Sequence, residues 1–321
     1  MWCEAVRRRE RGELGARRFE TAARARRTAS LALSNRKEFA TPHNGAVNSL
    51  QVDLIERRYL LSGASDGSAA IFDVQNAIEY EAGFIAKHRS ILLVDKQHEN
   101  GHKFAVSMAV WYPVDTGLFV TASFDQYVKV WDTNSTQVVM DFKMPGKVYS
   151  AAMSPIATTH MLIATGSADV QWSTSSEWIL MSGGCDGAIR FWDIRRAGCF
   201  LVLDQSRSQL GRRPPFLEGT SDKTSKPLQL AVTEDPSLVF IPCMASIKAY
   251  NLWSGMTFQT FRGHYEPVNC CYYSAQEQEL YTGSNDRQIL VWSPSTPAFT
   301  EMEDDGKRQM DFVVDEDNWS D

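Results

Sequence analysis

Short runs of alternating hydrophobic and polar residues, separated by polar turns, fill most of the chain. The clearest example spans residues 101–132, which open with Gly-His and close with Trp-Asp. Three runs there, residues 106–112, 118–121 and 127–131, are rich in β-branched and aromatic side chains. Pro, Gly and Asp separate them, so the pattern predicts three short β-strands joined by turns.

Other parts of the chain repeat this pattern. His102 precedes Asp125 by 23 residues, and the copies that begin at His43 and His264 have separations of 23 and 22. The corresponding positions are His43, Ser62, Asp66 and Phe72; His102, Thr121, Asp125 and Trp131; Ser182, Asp186 and Trp192, without a His; and His264, Thr282, Asp286 and Trp292. Such repeats are typical of WD40 proteins and predict an all-β WD40 propeller, in which each repeat supplies four strands to a blade.

The recurring Ser/Thr, His and Asp admit two interpretations. A turn Asp can accept a hydrogen bond from the His, which can bridge to the hydroxyl and the Trp indole and so satisfy buried polar groups. The same residue types form hydrolase triads, but a catalytic constellation belongs to one convergent site. Because the set recurs at blade spacing and ends on Trp, we interpret it as a structural tetrad. Phe72 replaces the indole donor in the first copy.

The distances between the turn aspartates indicate an interruption. A WD40 blade takes about 40–45 residues. Asp66 and Asp125 are 59 residues apart, and we assign the excess to a polar loop at residues 79–100. Asp125 and Asp169 are 44 apart, an ordinary step, but Asp186 follows Asp169 after only 17. Roughly 25 residues of a full blade are absent, so we infer a deletion that joins two half-blades, as alternative splicing would create.

The remaining segments extend the expected ring to about five and a half blades. Residues 199–205 are predicted as a fourth strand, residues 206–226 as an exposed loop, and residues 228–261 as a degenerate blade without a turn Asp. Residues 37–41 are expected to supply the missing fourth strand of the last blade and to close the ring. Strand edges within residues 161–180 should make the chain aggregate or bind chaperones if the half-blades do not re-pair.

Charge divides the chain into three parts: a basic helical arm at residues 1–35, the propeller at 36–295, and an acidic tail at 296–321 that we expect to be disordered. Helix-forming composition covers residues 10–33. The arm is either solvated or a helix that docks on a partner or carries a nuclear-import signal, and the sequence leaves both open. The net charge of -6 does not favour a general nucleic-acid binder.

The six cysteines show no CxxC pair and no metal-ligand spacing. We interpret them as reduced thiols of an intracellular protein and predict no metal or cofactor. Cys270 and Cys271, neighbours in a strand-like run, should point to opposite faces of their sheet. No apolar run approaches the roughly 18 residues needed to cross a bilayer, and the first residues lack the apolar core of a secretory signal.

Longer segments resemble one family of WD40 proteins. These segments are WYPVDTGLFVTASFDQYVKVWDTN, VYSAAMSP, FWDIRRAG followed by LDQ, and GHYEPVNCCYYSAQEQELYTGSNDRQILVWSP. They resemble the Cockayne syndrome A family, WD40 substrate receptors of cullin-4 ubiquitin ligases that act in transcription-coupled repair. That family forms a seven-bladed propeller, so the resemblance implies that about one and a half blades are missing here.

The resemblance implies a nuclear, non-catalytic substrate-recognition subunit in transcription-coupled nucleotide-excision repair and the DNA damage response. Its partners would be the triple-propeller adaptor of the ligase and stalled-transcription repair factors, with no membrane and no sequence-specific nucleic-acid contact. Receptors of this class carry Trp-Asp-x-Arg, which Trp192, Asp193 and Arg195 match, although Arg at this position is also a common solvated residue. Leu14 and Phe19 are the expected apolar anchors of the arm in the adaptor.

A general WD40 scaffold in chromatin or signalling is the alternative, because fold alone does not fix function. An enzyme is the least favoured class. The sequence has no P-loop, no dinucleotide-binding glycine pattern, no HExxH and no GxSxG elbow.

Overall fold

The computed structural model describes residues 2–77, 79–81, 85–157, 161–166, 169–183, 188–196, 198–204, 228–233, 238–252 and 254–295. The predicted loop at 206–226 and the predicted disordered tail at 296–321 lie outside these residues. Two helices come first, α1 (Trp2–Glu10) and α2 (Ala16–Ala29). They replace the single helical segment predicted at residues 10–33, because the chain turns at Gly12, which has a positive φ of 73°.

Short strands make up the rest of the described chain. In chain order they are β1 (Leu31–Leu33), β2 (Lys37–Ala40), β3 (Val47–Val52), β4 (Tyr59–Ala64), β5 (Ala69–Asp73), β6 (Glu79–Glu81), β7 (Ile85–Val94), β8 (Val106–Trp111), β9 (Leu118–Ser123), β10 (Tyr127–Asp132), β11 (Val138–Lys143), β12 (Ser150–Met153), β13 (Ile163–Gly166), β14 (Val170–Trp172), β15 (Ile179–Gly183), β16 (Ala188–Asp193), β17 (Cys199–Asp204), β18 (Ala231–Val232), β19 (Leu238–Cys243), β20 (Ser246–Asn251), β21 (Thr257–Arg262), β22 (Val268–Ser274), β23 (Glu279–Ser284) and β24 (Ile289–Pro294).

These strands form the blades of a propeller. Within the described residues, five sheets contain four strands or more, and one contains only two. Their orders are β2-β7-β5-β4-β3 with β6 on β7, β11-β10-β9-β8, β12-β13, β14-β15-β16-β17, β18-β19-β20-β21 and β1-β24-β23-β22. The predicted all-β WD40 propeller of about five and a half blades is therefore confirmed, including the degenerate blade β18–β21.

The core lies between neighbouring blades, where the inner strands of one sheet pack against those of the next. Phe72 and Tyr281 share one cluster between the first and last blades, and Cys270 belongs to it. Cys271 belongs to a different cluster, around Phe240 in the degenerate blade. The two adjacent cysteines therefore point to opposite faces of β22, as their positions in the sequence predicted.

The last blade is completed by a different segment from the one predicted to close the ring. β1 pairs antiparallel with β24, with Ala32 opposite Ser293. The predicted segment, residues 37–41, contains β2, which instead pairs in parallel with β7 of the first blade. Leu31 is 2% exposed and packs into the cluster that contains Trp292, so burial selects β1 as the closing strand.

The excess sequence in the first repeat is also not a loop. Residues 79–100, predicted as a polar loop, contain β6 and the ten-residue β7. β7 pairs with β5 and also with β2 and β6, so one long strand serves as the edge of the blade and as the base of a small extra sheet.

The half-blade predicted from the sequence is present as the two-stranded sheet of β12 and β13. β13 pairs with β12, and no other described strand lies along its second edge. The next strand, β14, already belongs to the following four-stranded sheet. All four residues of β13 are only partly buried, whereas Val120 and Ala122 in the equivalent strand β9 are fully buried.

Two faces of the propeller are named below by the residues they carry. The Trp-Asp face holds the ends of the third strands, at Asp73, Asp132 and Asp193. The turn-aspartate face holds the turns that follow the second strands, at Asp66, Asp125 and Asp286. Because the strands of a blade are antiparallel and the blades repeat around one axis, these two sets lie on opposite sides of the ring.

Candidate functional site

The second blade contains a complete tetrad of buried polar side chains. Asp125 Oδ2 lies 2.8 Å from His102 Nδ1, and His102 Nε2 lies 2.7 Å from Thr121 Oγ1. The Trp131 indole N–H donates to the same Thr121 oxygen at 2.7 Å. His102 is 2% exposed and Thr121 is fully buried, so the network fixes strands and turns to each other and offers no hydroxyl to a substrate.

The last blade repeats this geometry. His264 Nδ1 lies 2.8 Å from Asp286, and Nε2 lies 2.8 Å from Thr282 Oγ1. Trp292 donates its indole N–H to Thr282 at 3.0 Å. Burial lowers the pKa of His264, although the hydrogen bond to Asp286 opposes this effect.

The first blade departs from the predicted contacts. His43 Nε2 lies 2.7 Å from Ser62 Oγ, but Nδ1 lies 2.6 Å from Ser68 Oγ and is not paired with Asp66. Asp66 instead accepts from the Ser68 hydroxyl at 2.5 Å, so Ser68 bridges His43 and Asp66. Asp66 also accepts from the backbone N–H of Ser68 and from that of Asn44, at 3.0 and 2.6 Å. Burial lowers the pKa of His43 to about 4.

Sequence reasoning missed Ser68, which takes the place of the aspartate beside His43. Its position, two residues after the turn Asp, holds Tyr127 in the second blade and Gln288 in the last. The signal was a serine, a short side chain with a hydroxyl, which stands at this position in the first copy but not in these two. Phe72 lies fully buried in the core at the Trp position and makes edge contact with Phe39, with ring centroids 5.4 Å apart.

The tetrad in the fourth copy is described only in part. Trp192 donates its indole N–H to Ser182 Oγ at 2.8 Å. Asp186 lies outside the described residues.

The Trp-Asp-x-Arg sequence forms a compact unit on the Trp-Asp face. Arg195 donates from Nε to Asp193 Oδ1 at 2.9 Å and from an Nη to Oδ2 at 2.8 Å. Its guanidinium also lies 5.3 Å from the centre of the Trp178 ring. The hydrogen bonds from Arg195 lower the pKa of Asp193 to about 2. The Arg195 side chain remains 56% exposed, so a positioned cation faces solvent.

A second aspartate–arginine pair lies on the same face. Arg58 donates to Asp73 from Nε and an Nη at 2.9 and 2.6 Å, and its guanidinium lies 5.3 Å from the Tyr59 ring centre. Burial raises the pKa of Asp73, but hydrogen bonds from Arg58 and two backbone amides lower it to about 2. The sequence did not reveal this pair, because Arg58 precedes β4 instead of following Phe72-Asp73.

The helical arm meets the Trp-Asp face through the end of α2. Thr28, 1% exposed, lies with its hydroxyl 3.1 Å from the Tyr273 hydroxyl. Arg27 donates to the Glu277 carbonyl oxygen at 3.4 Å. The predicted anchors Leu14 and Phe19 are both partly buried in the arm, and the arginines of α1 and α2 are exposed.

The described residues contain no group of His, Cys, Asp or Glu that could hold a metal ion. Cys270 and Cys271 are completely buried, and burial raises the pKa of both thiols. In the same part of the chain, no helix is both long and apolar enough to cross a membrane.

Comparison with known proteins gives the family. The chain is 44% identical to the WD repeat-containing protein ATCSA-1 of Arabidopsis thaliana over 456 residues, an alignment that covers 100% of both chains. The chain belongs to this WD repeat family. Because the alignment is longer than the 321-residue chain, it includes positions at which this WD repeat protein has a gap.

The family described as WD domain, G-beta repeat matches residues 95–132, 142–193 and 255–293. The second match runs from β11 to β16, so it crosses the half-blade and joins strands that the structure divides among three sheets. Two further relatives are more distant. The Denticleless protein homolog of Gallus gallus is 23% identical over 62% of this chain and 30% of its own length. Radiation-sensitive protein 28 of Saccharomyces cerevisiae is 23% identical over 29% of this chain and 25% of its own length.

Proposed function

We propose that this WD repeat protein is a non-catalytic substrate receptor, which binds the triple-propeller adaptor of a cullin-4 ubiquitin ligase through its Trp-Asp face. The observation that carries the proposal is the Asp193–Arg195–Trp178 unit. An exposed guanidinium held by a carboxylate and a ring loses little side-chain entropy on binding, because its orientation is already fixed. It can donate to carboxylates or carbonyl oxygens of a partner surface.

The position of the helical arm is a second argument for binding through the Trp-Asp face. Its attachment through Thr28 and Tyr273 puts α2 on the Trp-Asp face, together with Arg195. A partner that contacts both would bind a helix and a charged rim at once, a combination that gives affinity and orientation. Leu14 and Phe19 remain the proposed apolar anchors.

The proposed process is transcription-coupled repair in the nucleus. The 44% identity to ATCSA-1 over both whole chains supports a shared role. The printed name of the yeast relative, Radiation-sensitive protein 28, is in keeping with a role in the DNA damage response. Substrates of the ligase and stalled-transcription repair factors would be the other partners.

Among the described residues, no strand pairs with the second edge of β13, which supports a form of the family shortened by an internal deletion. An alignment longer than the chain is in keeping with this, as is the step of 17 residues between Asp169 and Asp186. The Trp-Asp-x-Arg unit lies in the blade immediately after the junction. Arg195 nevertheless donates to both carboxylate oxygens of Asp193.

Adaptor binding by purified variants tests the proposal. Arg195→Glu should weaken adaptor affinity about tenfold or more, because an arginine that anchors an interface contributes about 2 kcal/mol or more. Removal of residues 2–29 should weaken it as well. The matched control is Arg196→Glu, which makes the same charge change at the next exposed residue and should leave affinity nearly unchanged.

If neither Arg195→Glu nor the arm deletion changes adaptor affinity, or if the intact chain does not bind, the receptor proposal is wrong. Equal loss in Arg195→Glu and Arg196→Glu would indicate a diffuse electrostatic effect and would also contradict it.

A further inference from the structure

A cleft of about 490 Å³ opens on the turn-aspartate face, on the opposite side of the ring from Arg195 and the arm. Four segments line it: the β4–β5 turn, the loop before β8, the β9–β10 turn and the loop before β12. The side chains with the most distinctive chemistry are Lys96, Phe104, Phe124 and Lys147. The cleft therefore combines aromatic surface with positive charge.

The walls of the cleft are held together by hydrogen bonds between its loops. The backbone N–H of Phe124 donates to the Ala105 carbonyl at 3.0 Å, and the Ser123 hydroxyl donates to the Phe104 carbonyl at 3.2 Å. The Ser123 backbone carbonyl oxygen accepts from the Val148 N–H at 3.4 Å. A ligand would meet a largely preformed surface and would pay little entropy to order it.

Gly67 allows the loop before β8 to approach this closely. Its φ is +89°, and a Cβ at this position would lie 2.7 Å from the His102 carbonyl oxygen and 3.0 Å from that of Phe104. A side chain there would push the loop and Phe104 away from the β4–β5 turn.

The aromatic side chains offer apolar contact. Phe104 is 61% exposed, an unusual position for a phenylalanine in a loop otherwise tied down. Phe124 is partly buried and packs against Tyr149, with ring centroids 4.9 Å apart. An apolar side chain laid over Phe104 and Phe124 would remove both rings from water.

The cleft carries two lysine side chains that can bind an anionic ligand. Lys96 and Lys147 are exposed, and neither forms an ion pair with any carboxylate in the described part of the chain. Lys147 Nζ lies 6.0 Å from the Phe124 ring centre. The one acidic residue of the lining, Asp125, is already bonded to His102 at 2.8 Å and to the Tyr127 N–H at 2.9 Å.

We propose that this cleft binds an acidic linear peptide segment of a client protein, with one aromatic or large aliphatic side chain over Phe104 and Phe124 and flanking carboxylates on Lys96 and Lys147. The inference rests on the proposed receptor function, since a receptor that binds its ligase through the Trp-Asp face needs a separate surface for its client. A peptide is favoured over nucleic acid because the net charge of -6 repels a long polyanion, whereas a short acidic segment meets only the local lysines.

Binding of capped, fluorescein-labelled peptides to the intact chain tests this directly. The probe is GSDEFDESG, with GSNQFNQSG to remove its charge and GSDEADESG to remove its aromatic ring. We expect the first to bind most tightly, with affinity that falls as salt screens the lysines. Lys96→Glu and Lys147→Glu should each weaken binding about fivefold, the upper range for one exposed ion pair. Phe104→Ala should weaken binding of the aromatic probe but not of GSDEADESG.

Lys143→Glu, an exposed lysine on the outer strand β11, is the matched control and should leave the affinity unchanged. Failure of GSDEFDESG to bind, or binding insensitive to Lys96→Glu and Lys147→Glu, would overturn the proposal. So would tighter binding of a dT12 oligonucleotide at the same site. Because no adaptor is present, failure here leaves the adaptor proposal standing, and failure of adaptor binding leaves the peptide result intact.

Discussion

At the scale of single residues, one hydrogen-bond donor decides between a catalytic and a structural reading of the tetrads. If Thr121 accepts from Trp131, its own proton can point to His102 Nε2, while Nδ1–H donates to Asp125. That order of donors resembles a hydrolase triad. The difference is that the Thr121 oxygen is fully buried and already bonded by the indole, so no substrate can reach it.

The buried histidine of the first blade predicts a loss of stability in mild acid. The pKa of His43 is about 4 in the folded chain, well below its ordinary value of 6.5. Above pH 6.5 the titration of His43 takes nothing from the free energy of unfolding, because the imidazole is then neutral in both the folded and the unfolded chain. As pH falls toward 4, the unfolded chain takes up the proton first, and stability should fall by up to about 3 kcal/mol.

Urea unfolding between pH 7 and pH 4.5 measures this effect. The variant His43→Gln should flatten the decline, while the decline that remains should reflect His88 and His264, whose pKa values are also lowered by burial. The pH limit of 4.5 avoids most of the protonation of aspartates such as Asp66 and Asp125, whose folded pKa values are lowered. An equally steep decline in His43→Gln would show that His43 does not carry it.

At the scale of elements, the closing strand shows how burial chooses between two neighbouring short segments. β1 and β2 both lie near the last blade, but Leu31 enters the interblade core with Trp292, whereas Phe39 of β2 packs on Phe72 of the first blade. Closure by β1 removes the free edge that β24 would otherwise present.

Two leucines of β1 test this closure. Leu31→Ala should lower the free energy of unfolding by about 2–5 kcal/mol, because it leaves a cavity in the core. Leu33 is 48% exposed, so Leu33→Ala on the same strand should change it by less than about 0.5 kcal/mol. Chemical denaturation of both variants measures the difference, and equal effects would mean that β1 does not seal the last blade.

These elements also mark how far the sequence could lead. The spacing of the recurring His, Ser/Thr, Asp and Trp residues located the tetrads and the interruption after β13. Such spacing is informative because one residue inserted into a strand, or lost from it, would move the side chains to the opposite face of the sheet. It could not find Ser68 or Arg58, whose contacts depend on how a turn folds back on a neighbouring strand. Nor could it choose β1 over β2, a choice made by contacts between residues more than 200 positions apart. The expected aggregation through the edge of β13 stays a prediction.

At the scale of the whole molecule, the two faces carry different chemistry. The Trp-Asp face presents arginines positioned by aspartates and the helical arm, and the turn-aspartate face presents a lysine- and phenylalanine-lined cleft. The blade that carries Arg195 is less protected than the second blade, since all five residues of its strand β15 are only partly buried, whereas five of the six residues of β9 are buried. The cleft lies mostly on the first two blades, which are complete.

Hydrogen exchange of the intact chain, with and without saturating adaptor, tests the assignment of the faces most directly. Adaptor should slow exchange in α2 and in the turn after β16, around Arg195, because both would be covered on the Trp-Asp face. Exchange around Phe104 and Lys147 should not change. Slowing confined to the turn-aspartate face, or none on the Trp-Asp face despite saturation, would contradict the proposed mode of binding.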